Sequence, residues 1–193
     1  MDIRVEYSGA ACILLSLLCL VLPLDWLLSA AIAAVFHEIC HILAVMVMGG
    51  KVYTLFVGTG GAVMEASPME PWKELICVLA GPAGSLSMLV LSAYIPKVAL
   101  CGFVQGLFNL IPVYPLDGGR ALACLTEMLF STEMSAKICD YVRQTVLFLV
   151  VAAGIYSTFA AKLGLLPILA AVFFLSRVMD GKNSCKQGKL GVQ

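Results

Sequence analysis

Long runs of apolar residues dominate this chain, and they restrict its fold more than any other feature of the sequence. The second, third and fifth of six such segments reach the ~20 residues that an α-helix needs to cross the hydrocarbon core of a bilayer. The first and last are shorter, which local thinning of the bilayer can accommodate. The segments are Ala10 to Leu24, Trp26 to Met48, about Trp72 to Ile95, about Val98 to Phe130, about Tyr141 to Ala161, and Leu163 to Val178.

The composition agrees with a membrane location. Hydrophobic residues make up 61% of the 193 residues and charged residues only 12%, whereas about a quarter of the residues of a soluble domain are charged. One core in a chain of this size cannot bury so much apolar surface. We therefore predict an all-α polytopic membrane protein with about six transmembrane helices. We expect a single domain over 1–179, with its core at about 30–130, and a polar cytoplasmic tail at 180–193.

The positive charges are distributed unevenly between the predicted helices. With both termini in the cytoplasm, only Lys97 and Lys162 among the 12 Lys and Arg residues fall on the outer side. Cytoplasmic segments of membrane proteins carry such an excess of Lys and Arg. We therefore expect an integral protein of the cell membrane with both termini cytoplasmic. The formal net charge is zero, which gives no sign of a nucleic-acid partner.

The stretch from Lys51 to Glu65 differs from its apolar surroundings. Val52 to Val57 is rich in β-branched and aromatic residues, and the glycines that follow can form a turn. This pattern predicts a β-hairpin between the second and third helices. An open sheet edge cannot face lipid, so a membrane-associated hairpin has to be covered by protein or line a wet cavity. The pattern fits an ordinary cytoplasmic hairpin equally well.

The chain contains two histidines, His37 and His41, in the sequence HEICH. Residues i and i+4 lie on one face of an α-helix, so the two imidazoles can bind one Zn²⁺ while Glu38 accepts a proton from the attacking water. Glu38 lies in an apolar helix, where an ionisable group is costly and usually functional. The alternative is that the two histidines only satisfy each other or a backbone carbonyl.

A hydrolytic zinc site usually has three protein ligands and one open position, and the sequence offers Asp117 as the third. No cysteine forms a CxxC pair, and most cysteines lie in apolar runs, so we predict no cysteine-based site. Asp117 follows Pro112 and Pro115, which interrupt the helix. Broken backbone at membrane depth is tolerated where it lines a watery cavity. The alternative is a loop aspartate at the membrane edge.

These motifs resemble the site-2 family of intramembrane zinc metalloproteases. HEICH fits the HExxH motif of that family, and PLDGG fits its Asp-Gly motif, which supplies the third zinc ligand from another membrane helix. Asn109, Pro112 and Pro115 match its Asn-x-x-Pro-x-x-Pro-x-Asp-Gly spacing. The resemblance covers about Ala30 to Phe130.

Two further segments extend the resemblance. GPAGS at Gly81 to Ser85 looks like the third-helix Gly-x-x-x-(Asn or Ser) motif of the family, and Lys51 to Glu65 resembles its membrane-embedded β-segment, which is thought to pair with the substrate. The layout looks most like the stage IV sporulation protease branch, which processes a membrane-associated pro-sigma factor.

The resemblance implies a metalloendopeptidase that cleaves a peptide bond in or near a transmembrane segment. The zinc ligands are then His37, His41 and Asp117, the general base is Glu38, and Asn109 holds the substrate backbone. The alternative for Asn109 is a helix cap. The implied partners are a membrane-associated protein substrate such as a pro-sigma or anti-sigma factor, the lipid bilayer, and a regulatory membrane protein.

Two other classes of protein remain open at this stage. A membrane metal transporter also places ionisable groups inside the bilayer, but it needs polar relays on several helices. A non-catalytic membrane protein with a structural zinc usually has four protein ligands. The sequence offers three, and Cys40 lies about 100° from His41 around the helix, which makes it a poor fourth ligand.

Overall fold

The computed structural model describes residues 4–7, 19, 22–58, 61–159, 167–168, 171–172, 174–175 and 178. The first and sixth predicted apolar segments lie largely outside these residues, and the tail 180–193 lies wholly outside. The elements in chain order are β1 (Arg4–Tyr7), α1 (Leu24–Val47), β2 (Val52–Gly58), β3 (Gly61–Ala66), α2 (Pro71–Ser87), α3 (Pro96–Asn109), α4 (Asp117–Leu129) and α5 (Thr132–Phe159). A 3₁₀ turn, Met88–Leu91, follows α2 directly.

Three of the described helices are long and apolar enough to cross a membrane. They are α1, α2 with its 3₁₀ turn (Pro71–Leu91), and α5. These correspond to the second, third and fifth predicted segments, so the prediction that these three form helices of spanning length is confirmed. Helix α5 begins at Thr132 rather than near Tyr141. Its first turns are polar, and apolar runs alone therefore could not indicate them.

The predicted fourth segment is interrupted and forms two helices. Helix α3 has 14 residues and ends at Asn109, and α4 has 13 residues and begins at Asp117. Pro112 and Pro115 lie between them, and proline has no N–H group to continue a helical ladder. Both helices are shorter than the ~20 residues of a full crossing. Within the described residues, three helices have full spanning length.

The chain divides by its internal contacts into two compact units, Met1–Leu110 and Ile111–Gln193. In the first unit, α1, α2 and α3 pack against one another. In the second unit, α4 packs against α5. The second unit also contains a small core formed by Val113, Leu116, Phe174 and Val178.

Glycines bring α3 close to α2. A Cβ atom added at Gly106 would lie 3.2 Å from the carbonyl oxygen of Pro82 and 3.2 Å from the Cβ atom of Ser85. A Cβ atom at Gly102 would lie 2.8 Å from the sulfur of Met88. The two glycines are four residues apart and share one face of α3. This small-xxx-small spacing lets membrane helices approach closely without a hydrophobic driving force between them.

A three-stranded sheet, in the order β1-β2-β3, belongs to the first unit. Strands β2 and β3 are antiparallel, with Gly58 opposite Gly61, in the stretch where the sequence predicted two strands. Strand β1 pairs in parallel with β2, with Arg4 opposite Thr54. The prediction of an all-α protein with only a hairpin missed β1. Parallel strands need a long crossover, here including α1, and a four-residue strand carries no local sign of so distant a partner.

We predict that the Gly106 contact stabilises the helices of the first unit. Gly106→Leu should lower the thermal midpoint of unfolding in detergent by several degrees, because overpacking typically costs about 1–3 kcal/mol. The matched control is Val104→Leu on the same helix, where the native side chain is 57% exposed. Equal midpoints for the two variants would contradict the close packing of α3 on α2.

Candidate metal centre

Both histidines belong to one buried stripe along α1. The buried residues of this helix recur every four positions: Ser29, Ala33, His37, His41 and Val45. His37 is 2% exposed and His41 is 7% exposed. The four-residue spacing in the sequence therefore places the two imidazoles one turn apart inside the packed first unit, as the HEICH motif predicted.

His41 is held by the backbone of α2. Its Nδ1 atom lies 2.8 Å from the carbonyl oxygen of Cys77. A carbonyl oxygen only accepts hydrogen bonds, so the Nδ1–H group of His41 is the donor. This contact leaves Nε2 as the ring atom available to bind a metal. Backbone carbonyls commonly orient metal-binding histidines in this way.

His37 is held by a side chain of α2, the helix that also holds His41. Its Nδ1 atom lies 2.9 Å from the hydroxyl oxygen of Ser85, which has no exposed surface. Its Nε2 atom lies 3.2 Å from Nε2 of His41, and the planes of the two rings are 83° apart. Two nitrogens bound to one tetrahedral zinc at ~2.0–2.1 Å are separated by about 3.4 Å. The observed separation therefore suits a shared metal ion.

Asp117 completes a group of three metal-binding residues. The ligand atoms of His37, His41 and Asp117 all lie within 4.8 Å of one another. Asp117 is half-buried and stands in the first turn of α4, where the helix dipole favours a negative charge. Two imidazole nitrogens and one carboxylate oxygen form a donor set typical of hydrolytic zinc sites.

The other two predicted site residues flank His37. Glu38 follows it directly on α1 and is half-buried. Asn109 is the last residue of α3, and its amide nitrogen lies 3.3 Å from Nε2 of His37. The residues that cap α3 and α4 at this break are Leu110 and Leu116. Asn109 therefore contacts His37, and the C-cap of α3 is the next residue, Leu110.

Sequence reasoning missed the contribution of α2 to this site. It noted the motif GPAGS but assigned no contact to Ser85, and nothing in a sequence marks the backbone carbonyl of Cys77. Between these two positions lies Gly81, where an added Cβ atom would be 2.1 Å from Nε2 of His41. Helix α2 thus approaches the histidine ring closely because residue 81 has no side chain. The one signal available in advance was the spacing of small residues in GPAGS.

The sequence is similar to a family of peptidases and to two zinc metalloproteases. Residues 84–153 match Peptidase family M50. A Synechocystis protein assigned as a zinc metalloprotease is 36% identical over 112 residues, which is 50% of this chain and 29% of that protein. A zinc metalloprotease of Methanocaldococcus jannaschii is 28% identical over 142 residues, which is 65% of this chain and 41% of that protein.

A solved structure shares the fold. The site-2 protease from Methanocaldococcus jannaschii superposes with a TM-score of 0.70 at 21% sequence identity, covering 94% of this chain and 91% of that one. This likeness establishes the fold. The chain spans less than half the length of the two metalloproteases to which its sequence is similar.

We predict that Gly81→Ala disrupts the metal centre by displacing the ring of His41. The added methyl group overlaps the ring at 2.1 Å, so zinc retained after purification, measured by atomic absorption, should fall well below that of wild type. The matched control is Gly84→Ala on the same helix, where the added Cβ atom would overlap the sulfur of Cys40 at 2.3 Å, so that the two variants introduce similar overlaps but only Gly81→Ala overlaps a histidine ring. The site geometry is wrong if both variants retain zinc equally.

Proposed function

We propose that this protein is an intramembrane zinc metalloprotease that hydrolyses a peptide bond in or near a transmembrane segment of a membrane-associated protein. The observation that carries the proposal is the convergence of two buried imidazole Nε2 atoms, 3.2 Å apart, with a carboxylate of Asp117 in the same group. The similarity to zinc metalloproteases over half or more of the chain supports the same reaction.

In this proposal His37, His41 and Asp117 hold the zinc ion. Three ligands leave one coordination position for the reaction, in contrast to structural zinc sites, which are usually closed by four. When bound, zinc supplies Lewis acidity that polarises the scissile carbonyl and makes water a stronger nucleophile near neutral pH. The contacts of α2 to the two Nδ1 atoms keep both rings oriented toward the ion.

Glu38 and Asn109 act on the water and the substrate. Glu38 accepts a proton from the attacking water and returns it to the leaving amine, so it serves first as general base and then as general acid. Asn109 holds the substrate backbone through its amide, which has both donor and acceptor groups. Its position 3.3 Å from His37 supports this role, because a bound backbone would then lie beside the reacting centre.

The depth of the histidine pair supports cleavage near one membrane surface. His41 lies six residues before the end of α1, and its partner Cys77 lies six residues after the start of α2. At 1.5 Å per residue, both distances are ~9 Å. The end of α1 and the start of α2 lie near Lys51, Trp72 and Lys73. The ammonium of Lys73 lies 5.4 Å from the indole ring of Trp72. Trp and Lys are typical of the membrane interface, and Lys of its cytoplasmic side.

The other end of these helices carries a second interfacial cluster. The ammonium of Lys97 at the start of α3 lies 5.5 Å from the ring of Trp26 and pairs with Asp25. The helices of the first unit thus have, at each of their two ends, a cluster of residues typical of a membrane interface. They support a crossing in which water reaches the metal site from the Lys51 side.

The remaining parts of the proposal concern topology and biology. The chain has six spans with both termini in the cytoplasm, as the Lys and Arg bias suggests. Its substrate is a pro-sigma or anti-sigma factor, and a regulatory membrane protein controls access, as in the sporulation branch that the layout resembles. The substrate segment pairs as an extended strand with an edge of the sheet, which would expose its peptide bonds to the zinc.

The decisive experiment replaces Glu38 by glutamine. Glu38→Gln should reduce proteolysis by a factor of ~10²–10⁴, because the amide cannot accept the proton of water, while zinc content stays at the wild-type level. The measurement is the yield of shortened product when candidate single-span substrates are co-expressed with each protein. Glu127→Gln, at an exposed position of α4, is the matched control and should cleave like wild type.

Two outcomes would contradict the proposal. A product of equal yield from wild type and Glu38→Gln would exclude Glu38 as general base. The second outcome is that zinc-loaded wild-type protein cuts none of the substrates, even when it is co-expressed with the regulators encoded beside it. That result would favour a metal transporter or a structural zinc protein.

A further inference from the structure

The three-stranded sheet is tied to the end of α1 by a short connection. Helix α1 ends at Val47, and β2 begins five residues later. Gly49 has a φ angle of 83°, the left-handed conformation with which many helices end. The N–H group of Gly50 then donates to the carbonyl oxygen of Val45 at 2.9 Å. The sheet therefore begins at a defined place beside the last turn of α1.

This connection is closely packed as well as short. A Cβ atom added at Gly50 would lie 2.8 Å from Cγ1 of Val45 and 3.0 Å from the sulfur of Met69. The N–H group of Lys51 donates to the hydroxyl oxygen of Ser67 at 3.0 Å, and the N–H group of Ser67 donates to the carbonyl oxygen of Lys51 at 2.8 Å. The segments that enter and leave the hairpin are therefore joined to each other and to α1.

A hydrophobic cluster joins the sheet to the two helices that hold the histidine pair. Its buried members are Val45 of α1, Val52 of β2 and Cys77 of α2. Val52 is 3% exposed, whereas Tyr53, the next residue of the strand, is 53% exposed. Successive side chains of a strand point to opposite faces, so Val52 lies on the face of β2 that packs against the helices. Met64 of β3 packs against the same cluster.

Two members of this cluster are direct neighbours of His41. Val45 follows His41 by one turn on the buried stripe of α1. The carbonyl oxygen of Cys77 lies 2.8 Å from Nδ1 of His41. One residue therefore presents its side chain to the cluster and its backbone to the histidine ring. A void beside the side chain of Cys77 would let its backbone shift, because packed interiors relax partially into cavities.

We propose that Val52 is a positioning residue that couples the sheet to the metal centre. Its side chain fills the space beside Cys77 and so keeps the carbonyl of that residue against the ring of His41. Groups that orient a metal ligand affect metal affinity although they do not touch the ion. The inference rests on the proposed zinc centre and goes beyond it, because it assigns a role to a residue of the sheet.

The test is the zinc affinity of Val52→Ala, measured by chelator competition on the detergent-solubilised full chain. The affinity should fall ~10-fold, at the lower end of the effect of removing a partner of a metal ligand. Val98→Ala is the matched control. It removes the same two methyl groups from a buried valine, in a separate cluster with Ala33 and Met88. Both variants should lower the thermal midpoint of unfolding, but Val98→Ala should bind zinc like wild type.

A second variant, Cys77→Ala, tests whether Val52 acts through Cys77. It keeps the backbone carbonyl beside His41 and removes the side chain that belongs to the cluster. Its zinc affinity should fall by a factor similar to that of Val52→Ala. The double variant should lose little more than either single variant, because both changes open the same space and neighbouring sites are not additive. Cys77→Ala alone carries the test if Val52→Ala does not fold.

Three results would overturn the inference. They are a wild-type zinc affinity in folded Val52→Ala or Cys77→Ala, equal losses of affinity in Val52→Ala and Val98→Ala, and fully additive losses in the double variant. Zinc affinity does not depend on catalysis. The expected affinities in a protein that cuts no substrate would thus reject the proposed proteolysis and leave the coupling between sheet and metal centre in place.

Discussion

The hydrogen bonds between α2 and the two histidine rings are the interactions on which the metal centre depends. Imidazoles inside an apolar helix are costly unless their polar atoms have partners. The carbonyl of Cys77 and the hydroxyl of Ser85 satisfy the two Nδ1 atoms and leave both Nε2 atoms directed at one point. The hydrogen bonds that buried imidazoles need therefore also fix the directions in which the two Nε2 atoms point.

That geometry requires unusually close helices, which the small residues of α2 and α3 provide. Gly81 lets the backbone of α2 pass beside the ring of His41, and Gly106 lets α3 press on α2 behind Ser85. In a bilayer, lipid chains are as apolar as leucine, so helices associate through close packing and polar contacts rather than through burial of apolar surface. The same glycines therefore support both the fold and the orientation of the ligands.

Much of the site could be predicted because its chemistry is local in sequence. His37, Glu38 and His41 lie within five residues of one helix. The two prolines before Asp117 predict an interrupted helix at membrane depth. The three helices of full spanning length were likewise visible from apolar runs. In each case the signal is a spacing or an apolar segment formed by residues close together in the sequence.

What could not be predicted depends on distant partners. Strand β1 pairs with β2 across α1, and four residues with no strong pattern give no sign of that pairing. The contacts of His41 with a backbone carbonyl and of His37 with Ser85 are also nonlocal, since they join residues 36 and 48 positions apart. Short helices such as α3 and α4 fall below the length that identifies a span.

X-ray absorption spectroscopy of the zinc-loaded wild-type protein tests the central claim most directly. The account predicts about one zinc ion per chain, two imidazole nitrogens and further oxygen ligands, all at ~2.0–2.2 Å, with no sulfur. The Asp117→Ala spectrum should keep both imidazoles and lose one oxygen ligand or most of the zinc. Sulfur at ~2.3 Å, or a single imidazole, would contradict the account.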